Sequence, residues 1–125
     1  MEELLKDNGF VHANIPVTIP AGSSVPATGV DFGGFLMFTF EIPTGFEGTT
    51  LTFLSASSLA GTYQPLYDDA GIEVSMVVAA GKNTPASGQT ALALASARFI
   101  KPRSGTAATP VVQAADRAIT ISCKR

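Results

Sequence analysis

The stretch that most constrains the fold is residues 51–78, where three short strand-like segments are separated by two tight turns. The first, Leu51 to Ala56, has the aliphatic, aromatic and β-branched content of a half-buried strand. The second, Tyr63 to Tyr67, contains Pro65, which cannot donate to a sheet ladder and so favours an edge or a bulge. The third alternates apolar and polar residues from Val74 to Val78. This stretch predicts a three-stranded meander.

Composition agrees with many short strands. The chain has 125 residues, enough for one domain that buries roughly two thirds of its unfolded surface. Only 14% of the residues are charged, whereas there are 12 glycines and 8 prolines. Cys123 is the sole cysteine and cannot form a disulfide within the chain.

Three further segments outside this meander read as strands, and together they set the predicted architecture. Phe35 to Ile42 places Leu36, Phe38, Phe40 and Ile42 on one face. The opposite face, with Phe35 and Met37, is either a protein interface or is covered by the N-terminal segment or a loop. The other two are Ala97 to Arg103, where Pro102 puts the pairing in doubt, and the alternating residues 118–124. Residues 79–89 read as a loop, and Thr90 to Ala95 as a weak strand or a helical turn. The fold predicted is all-β: an antiparallel, jelly-roll-like β-sandwich of seven or eight strands.

The first 34 residues are predicted to stand apart from the sandwich. Glu2 to Lys6 reads as a short helical turn. Residues 15–20 alternate aliphatic residues with Pro16, Thr18 and Pro20, which fits an extended edge strand or a segment lying on a neighbour. Residues 21–34 are rich in Gly, Ser, Thr and Pro and read as a loop. The expected division is an N-terminal arm and extended segment, residues 1–34, followed by a sandwich domain, residues 35–125.

Charge is unevenly distributed along the chain. Residues 1–75 hold nine acids and one base, whereas residues 76–125 hold seven bases and one acid. Only Phe99 lies among those bases, so the pattern favours intersubunit pairing or solvated strand edges over nucleic-acid binding. The acidic N-terminus is not followed by a signal-type apolar segment, and no apolar run is long enough to span a bilayer. We therefore expect a soluble chain that is not secreted and has no membrane or nucleic-acid partner.

No arrangement of residues indicates catalysis, a metal or a cofactor. His12 is the only histidine and lacks a recognisable triad, and no G-x-S-x-G or phosphate-binding motif occurs. Asp68 and Asp69 could ligate calcium, but without EF-hand spacing an Asx turn before Gly71 is the better explanation. A metal shared at an oligomer axis stays open. The sequence predicts a protein that is not an enzyme.

Five short motifs stand out in the chain: Asp31 to Gly34, Gly61 to Tyr63, Leu66 to Gly71, Arg103 to Thr106 and Gln113 to Arg117. Taken together, they resemble small β-sandwich proteins encoded among the virion-structure genes of tailed bacteriophages. This resemblance covers roughly residues 15–125. A generic similarity also links the strand-turn-aromatic pattern to discoidin-like carbohydrate-binding sandwiches.

The phage resemblance implies a non-enzymatic virion protein, assembled in the host cytoplasm, that decorates the capsid as a cement protein. Its expected partners are the major capsid protein or another virion protein and copies of itself, with a trimer favoured. An arm crossing to a neighbour would give two-point attachment. The alternative is a tail or head-fibre module that contacts host glycans through Phe46, Tyr63 and Tyr67. The residues expected at the capsid or subunit interface are Ile15, Val17, Ile19, Phe32, Phe35 and Met37.

Overall fold

A computed structural model of the chain describes the backbone of residues 3–7 and 10–125 and the side chains of residues 11–125. These residues form ten strands and one short helix. In chain order they are β1 (Glu3–Asp7), β2 (Phe10–Ile19), β3 (Val30–Asp31), β4 (Met37–Glu41), β5 (Thr50–Ala56), β6 (Gln64–Pro65), β7 (Ser75–Val77), β8 (Asn83–Pro85), α1 (Gly88–Ser96), β9 (Phe99–Ser104) and β10 (Arg117–Lys124).

Two antiparallel sheets pack face to face, which confirms the predicted all-β sandwich. The first sheet has the strand order β1-β2-β10-β4-β8. The second has the order β3-β9-β5-β6, and β7 continues along the same edge of β5 as β6. The chain changes sheet repeatedly, so strands adjacent in sequence often lie in opposite layers.

The core lies between the sheets and is filled by residues that alternate along each strand. From β2, β4 and β10 the inward residues include Ile15, Phe40 and Ile121, all buried. Phe40 meets Phe53 of the second sheet with ring centroids 5.6 Å apart, so aromatic contact joins the two layers. Burial of apolar surface on this scale is the main force that holds the layers together.

Strand β2 corrects the prediction of a separate N-terminal arm. Its residues pair with β10 from Ile19 opposite Arg117 to His12 opposite Lys124, in the interior of the first sheet. The chain before it forms β1, a strand where the sequence had suggested a helical turn, although Glu2 lies outside the described residues. The reason is the buried apolar face of β2, which must be covered by the opposite sheet. Residues 10–19 therefore belong to the sandwich rather than to a separate arm.

The prolines of this segment lie where a missing N–H group costs no ladder bond. Val11 and Arg125 exchange both backbone hydrogen bonds. The backbone N–H and C=O groups of the odd-numbered residues of β2 therefore point toward β10, and those of the even-numbered residues point away from it. On that outer side the described part of β1 reaches only to Asn14. Pro16 and Pro20 thus face an edge without a neighbouring strand, the position to which proline in a sheet is confined.

Pro102 in the second sheet also lies where its missing N–H group costs no hydrogen bond to the neighbouring strand β5. It lies opposite Phe53 in the β5–β9 ladder. The N–H of Ser104, two residues on, points away from β5 and donates to Ser24 O at 3.0 Å. Pro102 therefore lacks its N–H on the side away from β5, and the pairing of β9 with β5 is complete from Phe99 to Ser104.

The remaining differences from the sequence prediction are local. Residues 88–96 form α1, which decides between the strand and the helical turn predicted for Thr90 to Ala95 in favour of the helix, and Leu94 of the helix is fully buried in the core. Two segments expected to be loops each hold a very short edge strand, β3 and β8. Such strands are held by pairing with a neighbour, so their own sequences carry little period-two signal.

Candidate functional site

The Asp31 to Gly34 motif forms a tight turn that directs the chain from the second sheet to the first. Gly33 N–H donates to Asp31 Oδ1 at 2.8 Å, an Asx-type turn, and Phe35 N–H donates to Phe32 O at 3.1 Å. Gly34 has a φ of 85°, which favours glycine. The turn buries Phe32 against Phe38, with ring centroids 4.6 Å apart.

Immediately after this turn two large apolar side chains face solvent. Leu36 is 62% exposed and Met37 is 45% exposed. Leu36 N–H donates to Lys124 O at 3.0 Å, and Met37 pairs with Lys124 across the β4–β10 ladder. The patch therefore lies where β4 begins and β10 ends.

Basic groups lie beside Met37 and beside Phe35, the residue before Leu36. Met37, His12 and Lys124 line one shallow groove of about 210 Å³ on the outer face of the first sheet. The Arg125 guanidinium lies 5.4 Å from the centre of the buried Phe35 ring, a cation–π contact. We call the surface formed by His12, Leu36, Met37, Lys124 and Arg125 the Leu36 patch.

A second arginine lies beside the same turn. Arg98 Nε is 3.5 Å from Asp31 Oδ1, and both side chains are well exposed, so this ion pair adds little stability. The positive charge of the C-terminal half is thus partly gathered around the Asp31 to Gly34 turn. An acidic partner surface would complement it.

The structure corrects five of the six predicted interface residues. Met37 alone of the six is exposed and lies in the Leu36 patch. The others are buried within this chain, because they fill the core between its own sheets rather than a contact with a neighbour. They are Ile15, Val17, Ile19, Phe32 and Phe35.

The three aromatic residues predicted to contact glycans have different environments. Phe46 is buried in the core and cannot meet a ligand. The Tyr63 hydroxyl donates to Leu59 O at 2.8 Å, and the ring lies 4.6 Å from Lys101 Nζ, while burial raises the pKa of the Tyr63 phenol. Tyr67 is 50% exposed. The three rings do not form one surface.

The described residues contain no group of three or more His, Cys, Asp or Glu side chains placed to hold a metal ion. Asp68 Oδ1 accepts the N–H groups of Ala70 and Ile72 at 2.9 and 3.0 Å. That is the Asx-turn role expected for Asp68 before Gly71.

The Arg103 to Thr106 motif builds a polar network on the outer face of the second sheet. Arg103 donates from Nη2 to Glu73 Oε2 at 2.6 Å and from Nε to Thr52 Oγ1 at 3.0 Å. Thr52 in turn donates to Gly105 O at 2.7 Å. Arg103 is buried and Glu73 is nearly so, and within the described residues every buried side-chain nitrogen and oxygen has a partner. The hydrogen bonds of the Arg103 to Thr106 motif therefore account for it as a part of the fold.

The Gln113 to Arg117 motif also joins loops to one another. Gln113 is fully buried; its Oε1 accepts Glu47 N–H at 2.9 Å and its Nε2 donates to Glu47 O at 2.8 Å. Asp116 Oδ1 accepts Ala21 N–H at 2.8 Å. Two segments distant in sequence are thereby fixed to the start of β10.

The sequence pattern placed Leu36 on the buried face, because it continues the alternation of Phe38, Phe40 and Ile42. The strand begins only at Met37, and the preceding turn rotates Leu36 out to solvent. The Gly33-Gly34 pair is the sequence signal that could have shown that the strand alternation ends before Leu36, since glycine pairs interrupt regular secondary structure.

No protein-family model and no curated protein sequence matches this chain. One solved structure is similar, described as "Bacillus endospore appendages form a novel family of disulfide-linked pili". It is 12% identical with a TM-score of 0.37, over 91% of this chain and 87% of that chain. In the part of the chain that the structure describes, no helix is long and apolar enough to cross a membrane.

Proposed function

We propose that this chain is a non-enzymatic virion protein of a tailed bacteriophage that binds the outer capsid surface as a decoration protein. The observation that carries the proposal is the Leu36 patch, in which two large apolar side chains are exposed beside basic groups. Adjacent exposed apolar side chains with a polar border are a common feature of protein interfaces. The sequence resemblance supplies the kind of partner.

The mode of attachment differs from the arm suggested by the sequence. Because residues 11–19 belong to the first sheet, the sandwich itself presents the contact surface. The Leu36 patch would insert Leu36 and Met37 into an apolar depression on the capsid protein, while Arg125 meets carboxylates around it. A homo-oligomer, with a trimer favoured, would present several copies of the patch and strengthen attachment.

The test uses virions of the phage that encodes the chain, stripped of this protein, and a sedimentation assay. Leu36→Ser with Met37→Ser should lower the affinity for the particle about tenfold or more, which corresponds to about 1.4 kcal/mol or more. The matched control is Leu59→Ser with Val112→Ser, two exposed apolar residues outside the patch. Full occupancy by the Leu36/Met37 variant would contradict the proposed surface.

Two further measurements test the role itself. Cryo-electron microscopy of the intact particle should locate the chain on the capsid lattice, and its absence there would refute the proposal. Light scattering coupled to gel filtration should give the mass of a trimer. Binding should also weaken as salt is raised from 0.05 to 0.5 M, since salt screens the attraction between exposed charges at about 10 Å and beyond.

A further inference from the structure

A cleft separate from the Leu36 patch opens between the turn after β6 and the exposed side of α1. Its volume is about 560 Å³, within the range of roughly 300–1,000 Å³ typical of small-ligand sites. One wall is the segment from Leu66 to Asp69, and the other carries Gln89, Leu92 and Ser96 of the helix. The walls come from two distant parts of the sequence, so only the fold creates the cleft.

Two exposed side chains make part of the lining of this cleft apolar. Tyr67 is 50% exposed and Leu92 is 65% exposed, and both line the cleft. Tyr67 is the more exposed of the two tyrosines of the chain, and within the described residues no hydrogen bond is found for its hydroxyl. A half-exposed phenol ring offers a flat apolar face with a polar tip, which suits the C–H face of a sugar ring.

The polar groups in the cleft are both donors and acceptors. The side chains of Asp69 and Gln89 have no hydrogen bond or ion pair to any other residue that the structure describes. Asp68 uses Oδ1 to hold its own turn. A carboxylate accepts hydrogen bonds and an amide both donates and accepts, which matches the hydroxyl groups of a sugar.

Charge narrows the choice of ligand. The described residues that line the cleft include two aspartates and no lysine or arginine. A sialylated, sulfated or uronic-acid sugar would bring negative charge against these carboxylates without a compensating cation. The lining therefore disfavours anionic glycans and suits neutral ones.

We infer that this cleft binds a neutral saccharide. A pyranose ring of the saccharide would stack on Tyr67, and the hydroxyl groups of the sugar would form hydrogen bonds with Asp69 and Gln89. The inference is independent of the proposed capsid surface, because the two sites share no residue. It also selects Tyr67 from the three aromatic candidates and excludes the buried Phe46.

The experiment is a ¹⁵N heteronuclear NMR titration of the full chain with separate saccharides. The neutral probes are glucose, galactose, mannose and N-acetylglucosamine and their short oligomers, and sialyllactose is the anionic probe. At least one neutral probe should give saturable shifts confined to residues 66–69 and 89–97, with sialyllactose giving none. Failure of every neutral probe, or tighter binding of sialyllactose, would overturn the inference.

Variants of Tyr67 show whether the ring carries the binding. Tyr67→Ala should weaken the affinity about tenfold, whereas Tyr67→Phe should keep it within about twofold, because stacking needs the ring and not the hydroxyl. Gln89→Ala removes one hydrogen-bonding group from the helix wall of the cleft. It should weaken saccharide binding without changing the turn from Leu66 to Asp69. Unchanged affinity in both alanine variants, each checked for native unfolding behaviour, would refute the site.

Two controls distinguish saccharide binding in the cleft from capsid binding and from self-association of the chain. The Leu36→Ser/Met37→Ser variant should bind the saccharide normally, so loss of capsid binding and loss of saccharide binding are distinguishable. Shifts at residues 66–69 and 89–97 that instead follow protein concentration would identify the cleft as a contact between copies, and the saccharide inference would then be wrong.

Discussion

At the scale of single residues, the Arg103–Glu73 ion pair is the shorter and the more buried of the two ion pairs found within residues 11–125. Glu73→Gln should destabilise the fold by about 3 kcal/mol, at the low end for breaking a buried pair because the Glu73 side chain is 18% exposed. Denaturant unfolding measures the change.

A double variant, Arg103→Met with Glu73→Leu, is the control for this prediction. It removes both charges together and should recover part of the lost stability, since no buried charge remains without a partner. Equal losses in the single and double variants would contradict the assignment of the cost to an uncompensated Arg103.

Also at this scale, Gly105 allows the Arg103 to Thr106 motif to turn. Its φ is 86°, and a Cβ atom there would collide with Thr109 O and lie 2.6 Å from Val111 N, both backbone atoms. Gly105→Ala should therefore cost about 3 kcal/mol or more, from left-handed strain plus the clash.

Gly71 provides the matched comparison for Gly105. It has a similar φ of 77°, but a Cβ atom would meet nothing within 4 Å. Gly71→Ala should cost only about 1 kcal/mol, from backbone strain alone. Thermal unfolding of the two variants should rank Gly105→Ala well below Gly71→Ala, and similar midpoints would contradict the predicted clash.

At the scale of elements, the outer edge of β2 beyond Asn14 is protected by proline rather than by a neighbouring strand. Pro16→Thr with Pro20→Thr would restore two N–H donors to an edge that already offers carbonyl groups. We expect faster aggregation on heating and little change in unfolding midpoint, since the β2–β10 ladder is untouched.

Light scattering during a thermal ramp, followed by thioflavin T fluorescence, measures this change. Pro110→Thr is the control, because Pro110 is exposed in a loop outside the two sheets. The edge argument fails if the double variant aggregates no faster than this control.

At the scale of the whole molecule, the first strands stabilise the sandwich as a unit. Deleting residues 1–14 would remove β1 and the half of β2 that pairs with β10 from His12 to Asn14. It would also remove the buried Ala13 and uncover the core beside Ile15. We expect a much lower unfolding midpoint, measured by circular dichroism, and not a folded protein lacking only an arm. An unchanged unfolding midpoint would instead support the interpretation of these residues as a separate arm.

The sequence by itself determined the elements whose pattern is local. Period-two alternation identified β4, β7 and β10, residue composition identified β5, and the prolines and glycines marked the turns, because strand pleat and backbone stereochemistry act over a few residues. From these alone followed the all-β class and two sheets with a shared core.

Only the tertiary structure decided which surfaces remain exposed. The alternation of Ile15, Val17 and Ile19 is the same for an interface as for a core, and the opposite sheet settled that they are buried. Leu36 became exposed through one turn, and the cleft beside Tyr67 exists because α1 packs across from β6. Burial depends on contacts between residues far apart in sequence, which no local pattern encodes.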